Sequence, residues 1–159
     1  MKMHLRYLWY VLRHKWYVFT ECVRLGIPWA GVTHDWQKFT RAEWRPYALT
    51  FYGGYERKDR PAWLVTDFER AWRHHLLHGP HHWEHWIIKA GDFSECAAMP
   101  KRYVREMVAD WYGAGCARNG APKGADRYAE VRVWYSKQGD RIRLHPVTRY
   151  QVEHLIGLR

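Results

Sequence analysis

From Met3 to Leu25, the residues Leu5, Leu8, Trp9, Leu12, Trp16 and Phe19 recur at three- and four-residue steps, the spacing of one face of an amphipathic helix. Gly26 and Pro28 end it. Pro28, a good first-turn residue, opens a second helix through Trp36. Thr40 followed by Glu43 has the form of a capping box and opens a third helix, which Gly53 and Gly54 break. The polar, Pro-terminated stretch from Glu56 to Pro61 is expected to be a loop. After it, Thr66 or Asp67 caps a helix through Trp72 to His78, interrupted by Gly79 and Pro80. A short helix from His81 to Ala90 and another from Pro100 through Met107 and Asp110 to Tyr112 are expected next. Gly113 to Gly124, with four glycines and a proline, reads as a flexible loop, a mobile lid carrying Arg118 and Lys123. Helices over Asp126 to Lys137 and Val147 to Leu158 complete the chain, although the alternation over Val131 to Tyr135 also fits a short strand. The expected architecture is all-α, a single domain over residues 1–159 built as a bundle of roughly seven helices.

Composition adds two constraints. Eleven Trp, 11 Tyr and 5 Phe make the apolar content unusually aromatic, so the core is expected to be bulky and to carry polar handles. With 26 Lys and Arg against 16 Asp and Glu, a net charge of +10, the natural partner is an anion. That field suits a small phosphate-bearing ligand or a nucleic-acid backbone and does not choose between them. Cys22, Cys96 and Cys116 form no C-x-x-C pair, which fits reduced thiols in the cytoplasm. Lys2, His4, Arg6, Arg13, His14 and Lys15 interrupt every apolar run near the start, so no membrane segment or membrane partner is expected.

The chemistry is carried by 11 histidines and their spacing. His34 and Asp35 are adjacent, and Lys38 follows three residues after Asp35, on one face if the segment is helical. His14 precedes on the first helix. Six histidines fall within the twelve residues from His74 to His85, and Ala109-Asp110-Trp111-Tyr112-Gly113-Ala114 comes late. The plain alternative is that Asp35 caps a helix and His34 packs in an aromatic core.

The segment from His34 to Lys38 resembles the H-D-x-x-K core of the HD superfamily of metal-dependent phosphohydrolases, and the segment around Asp110 resembles its late A-D-x-x-x-A motif. Nearly the whole chain also resembles a small group of phage and bacterial HD-like proteins. The shared motifs lie at His14 to Val18, His34 to Phe39, His81 to Trp86 and Met99 to Met107. The resemblance implies one or two divalent transition-metal ions, drawn from Mn, Fe, Co, Ni or Zn. His14, His34, Asp35 and Asp110 would bind the first. His75 and His82, with Asp35 as a bridge, would bind a second, and His81 and His74 are close substitutes within the doublets.

The same resemblance makes Lys38, His81 and Glu84 the candidate catalytic side chains. Lys38 would neutralise a phosphate oxygen, Glu84 would orient a ligand histidine, and Arg41 or Arg73 would assist in substrate binding. His4, His85, His145 and His154 are expected to be structural or surface residues. The implied activity is hydrolysis of a nucleotide or other small phosphate ester in a bacterial or phage-infected cytoplasm. Two alternatives share the H, H-D, H, H, D order or the basic surface: a di-iron oxygenase, and a non-catalytic, metal-stabilised phage protein that binds a nucleotide or nucleic acid.

Overall fold

The computed structural model describes residues 2–91 and 93–159. Its axis is α1 (Lys2–Arg24), whose stripe Tyr7, Val11, His14, Val18 and Cys22 is buried. The helical period expected from the sequence is present, but the face is different: Leu5, Trp9, Leu12 and Trp16 point outward. The reason lies in the partner helix. At Gly113 of α5 (Lys101–Asn119), an added Cβ would stand 2.4 Å from Val18 Cγ2 and 3.0 Å from the Val18 backbone nitrogen. An approach that close admits valine and cysteine, not tryptophan.

Around this axis, α2 (Pro28–Thr33) packs on Phe19 and Cys22 through Gly31. The pair α3 (Arg41–Tyr52) and α4 (Ala62–His78) closes an aromatic cluster with α1 through Tyr7, Tyr47, Ala48 and Ala71. A larger core joins α5 to α6 (Ala129–Gln138) and α7 (Pro146–Leu155) through Met107, Val108, Tyr112, Val131, Val152 and Ile156. The protein is all-α, with seven α-helices and one short hairpin among the described residues. Among those residues, no helix is long and apolar enough to cross a membrane.

Several expectations are corrected. The second helix stops at Thr33, and a 3-10 turn covers Trp36–Phe39. Thr40 precedes α3 but makes no side-chain cap: its hydroxyl donates to the Gln37 carbonyl, and Glu43, the other half of the expected box, is buried in bonds to His74 and His75. The fourth helix starts at Ala62, directly after Pro61 and ahead of Thr66 and Asp67. In place of a helix from His81 to Ala90 there is a 3-10 turn (Trp83–Trp86) and then an antiparallel hairpin, β1 (Ile87–Ala90) with β2 (Phe93–Cys96), in which Ile87 faces Cys96. The β-branched pair Ile87-Ile88 favours the extended form, and Gly91 takes a φ of +58° in the turn. Residues 113–119, expected as a loop, continue α5, since their small side chains permit the close crossing with α1; the helix ends at Gly120. Arg118 is therefore on a helix and not on a lid. Val131 to Tyr135 is helical, because its alternating residues bury Val131 and Tyr135 one turn apart.

The crossing predicts opposite outcomes for two nearby glycines. Gly113→Ala forces α1 and α5 apart and is expected to lower the unfolding free energy by about 1–3 kcal/mol. Gly115→Ala would meet only Glu130 Oε2, at 3.4 Å. It is expected to be neutral or to stabilise by about 0.5–1 kcal/mol, because alanine favours helix. Urea unfolding of both variants checks the pair.

Candidate metal centre

Each element next to the axis delivers a ligand-type side chain to one buried volume. His14 lies on the inward stripe of α1, and Asp110 faces it from α5, one turn before Gly113. His34 and Asp35 follow the end of α2. They do not sit on one helix, as the sequence pattern suggested: His34 is extended, and Asp35 adopts the left-handed conformation, with φ 54° and ψ 31°. Among non-glycine residues, Asp and Asn tolerate this region best. Lys15 donates to the His34 carbonyl oxygen and lies over the Trp36 ring, so α1 holds the break in place.

The first group is His14, His34, Asp35 and Asp110. His14 Nε2 is 3.3 Å from His34 Nε2, 3.5 Å from Asp35 Oδ2 and 3.2 Å from Asp110 Oδ1. His34 Nε2 is 3.3 Å from Asp35 Oδ2 and 3.5 Å from Asp110 Oδ1. Bonds of about 2.0–2.2 Å around a tetrahedral ion separate its donors by roughly 3.3–3.6 Å. The second group is Asp35, His75, His81 and His82. His75 Nε2 and His81 Nε2 each lie 3.5 Å from Asp35 Oδ1, and His82 Nε2 is 2.8 Å from His75 Nε2. Asp35 thus turns one carboxylate oxygen to each group.

The back of the rings is held by two carboxylates that the sequence reading left without this role. Glu106 accepts from His34 Nδ1 at 3.1 Å and faces His81 Nδ1 at 3.3 Å. Glu43 accepts from His75 Nδ1 at 3.0 Å and from His74 Nδ1 at 2.7 Å. Binding Nδ1 from behind leaves Nε2 to point inward, the arrangement by which carboxylates orient metal-binding histidines. Glu106 was findable, since it lies one helical turn before Asp110. Glu43 was masked by its resemblance to a cap partner.

The donor set fits a metal ion. Asp35 Oδ1 and His81 Nε2 are buried and hydrogen-bonded to nothing among the described residues, although they face each other across the second group. Orphaned buried donors and acceptors are destabilising unless something satisfies them. Burial, with the charges of His81 and His75, drives the His82 pKa well down and keeps its lone pair free. Burial opposes ionisation of His34, Asp35 and Asp110 as well, but their mutual contacts prevail. The His34 pKa is held up, and those of Asp35 and Asp110 are held down.

Other expected site residues fall as follows. Lys38 donates to Asp35 Oδ2, and Asp35 and Asp110 keep it charged against the effect of burial. His81 belongs to the second ligand group, so both members of the His81-His82 doublet face inward, and of the two roles expected for His81 its position is that of the substitute ligand. His74, a substitute ligand by resemblance, is drawn away by Glu43 and faces neither group. Glu84 bonds no histidine among the described residues. Its Oε2 is buried without a partner, burial raises its pKa, and it is close enough to Asp110 and His75 to feel their charges. Arg41 and Arg73 are exposed, and Arg41 borders a recess between α3 and α4 with Arg45, Asp67 and His74. Besides Lys38, the cation on the approach to the centre is Arg102. It lines a cleft of about 620 Å³ with Trp29, Gln37 and Tyr103, and the cleft reaches Asp35 and His81. A second cleft of about 610 Å³, between α5 and α6, touches no member of either group. His4 accepts from Trp44, His85 faces the Leu76 carbonyl, His145 caps α7 and His154 stacks on Tyr150, so these four are structural.

Fold and site together define an all-helical protein with buried histidine and aspartate clusters able to hold a metal ion. The chain belongs to DUF5662, a family of unknown function, whose profile it matches over residues 3–158. No curated protein and no solved structure matches it.

Two expectations follow. Asp35→Asn keeps the left-handed backbone but removes the shared charge. Elemental analysis of the purified variant should show metal content falling toward zero, and the difference in melting temperature between metal-loaded and chelated parent should vanish in it. Retention of parental metal content would refute the shared role of Asp35. The second concerns the metal-free protein and acid. Burial works against ionisation of Glu106, but its bonds to His34 and His81 hold its pKa at about 2, against an ordinary 4.5. The folded value lies below the unfolded one, so this stabilisation is full above pH 4.5 and is lost as pH falls toward 2. Urea unfolding at stepped pH should show that loss in the parent and a shallower one in Glu106→Gln.

Proposed function

We propose that the protein is a metal-dependent phosphohydrolase of the HD kind, acting on a nucleotide or another small phosphate ester. The observation that carries this reading is Asp35, whose two oxygens face two separate ligand groups with His14, His34 and Asp110 on one side and His75, His81 and His82 on the other. Such a layout suits two divalent transition-metal ions, drawn from Mn, Fe, Co, Ni or Zn. Ions held there would supply polarisation of a phosphoryl oxygen and a lowered pKa for bound water.

The protein's own groups supply the rest. Lys38 spends one of its three N–H donors on Asp35, which leaves two for phosphoryl oxygens. A protonated lysine has no lone pair, so it does not compete as a ligand. Glu84, with its pKa raised by burial, is suited to hold a proton and pass it to the leaving oxygen. Arg102 lies at the cleft wall, where it attracts and orients an entering anion, and Trp29 and Tyr103 offer flat apolar surface to the organic part of the ester. The three cysteines form no disulfide, which accords with a reducing compartment, the cytoplasm of a bacterium or phage-infected bacterium.

A screen of nucleotides for released phosphate, with the protein loaded in turn with each metal, tests this reading. Lys38→Ala is expected to retain metal and fold yet lose turnover by roughly a hundredfold, as removal of one preorganised charge does. No phosphate release from any nucleotide with any of the metals would sink the hydrolase. Oxygen consumption by the iron-loaded protein would point to the oxygenase chemistry instead.

A further inference from the structure

The outward face of α1 is apolar along its length. Leu5, Trp9, Leu12, Trp16 and Val23 are all about half or more exposed, with Trp9 at 64% and Trp16 at 62%. The face continues onto its neighbours. Trp16 lies 6.4 Å from Phe19, against whose backbone Gly31 of α2 packs, and α2 adds Trp29, 78% exposed, and Val32. On the same flank as α2, Trp36 lies under Lys15 and 5.9 Å from Phe39. Monomers rarely leave so many large side chains uncovered on one surface.

The charge beside this face has one sign. Lys2, Arg6 and Arg13 run along the edge of the stripe. Arg13 donates to the Cys116 carbonyl and Arg6 lies over the Tyr52 ring, so neither contact neutralises its charge. Across residues 2–42, Glu21 and Asp35 are the two acidic residues, and both are buried. The face therefore combines a stripe of tryptophan and aliphatic side chains, roughly 27 Å long on α1, with an unopposed cationic edge.

We propose that this face binds an anionic lipid surface, with α1 lying in the plane of the headgroups. The lipid supplies both requirements: hydrocarbon for Leu5, Leu12, Val23 and Val32, and negative charge for Lys2, Arg6 and Arg13. Tryptophan favours this boundary because its ring is apolar and its N–H is polar. A second copy brings the same cationic edge and no acidic residue to meet it. A nucleic acid matches the charge and stacks on tryptophan, but gives the aliphatic side chains no partner. The contact is superficial, in keeping with the absence of any described helix able to cross a membrane. The broken apolar runs near the start of the chain led to the expectation of no membrane partner; they argue against a spanning segment but do not bear on a face assembled from α1, α2 and Trp36.

The test is sedimentation of the whole protein with vesicles of phosphatidylcholine alone or with phosphatidylglycerol. Partitioning onto the anionic vesicles is expected to exceed that onto neutral ones by roughly tenfold or more and to weaken with salt. Trp9→Glu combined with Trp16→Glu should lower it by at least about tenfold. Circular dichroism should show an unchanged fold, as both side chains are exposed. Val133→Glu, at a 56% exposed position on α6, should bind as the parent does. Failure to sediment, or equal binding to neutral vesicles, overturns the proposal. So does a dimer in light scattering that the double variant disperses, which would make the face a self-association surface. Displacement of the protein from vesicles by a single-stranded oligonucleotide, with loss of oligonucleotide binding in the double variant, overturns it in favour of nucleic acid.

Discussion

The structure is organised around the difficulty of keeping the Asp35 carboxylate ionised away from water. A buried carboxylate is destabilising by several kcal/mol unless paired, and Asp35 is 2% exposed. The chain answers with groups from four directions: His14 from α1, His34 beside it in sequence, Lys38 from the following turn, and His75 and His81 from α4 and the segment after it. Each of those groups is itself charged or polar and needs a partner, so the demand passes outward to Glu43, Glu106 and Asp110. The helices carrying these residues cannot shift without leaving a buried charge unpaired. Packing at the Gly113 crossing and the bonding around Asp35 therefore impose the same geometry, one through volume and the other through electrostatics.

Much of this was legible in the chain. The helical period of α1 and the breaks at Gly53 and Gly79 follow from residue type and spacing, while the resemblance of the motifs around His34 and Asp110 implied the set His14, His34, Asp35, His75, His82 and Asp110, which the fold brings into two neighbouring groups. What escaped had physical causes. Periodicity reports that a helix has an apolar stripe but not which stripe faces inward when it has two, and α1 buries the one that contains a histidine. Gly113 looks like a loop residue to a local reading, because the partner that makes it useful, Val18, is far away in sequence. The roles of Glu43 and Glu106 are set by histidines 25 to 72 positions away, so those contacts have no local mark, although the one-turn spacing of Glu106 from Asp110 places both on one face of α5. Arg41 and Arg73 were chosen for charge and nearness in sequence to the ligands. The cleft, and with it Arg102, is formed by the path of α2 against α5, which sequence nearness does not reveal.

The position of the helix break after Thr33 carries a separate lesson. Had α2 continued, His34 and Asp35 would diverge by about 100° around one axis, and they would not share a focus. Ending the helix one residue earlier and turning the chain at Asp35 brings His34 Nε2 and Asp35 Oδ2 to 3.3 Å. Local irregularity, held by Lys15 on the His34 carbonyl, is what lets adjacent residues serve one centre.

That turn also narrows the evolutionary freedom of position 35. The left-handed backbone is easiest for glycine, which has no oxygen to offer. Glutamate keeps the charge, but it is less at home in this conformation and reaches one methylene too far. Asparagine satisfies the backbone and forfeits the charge. Backbone and chemistry thus meet at aspartate and at none of these three alternatives.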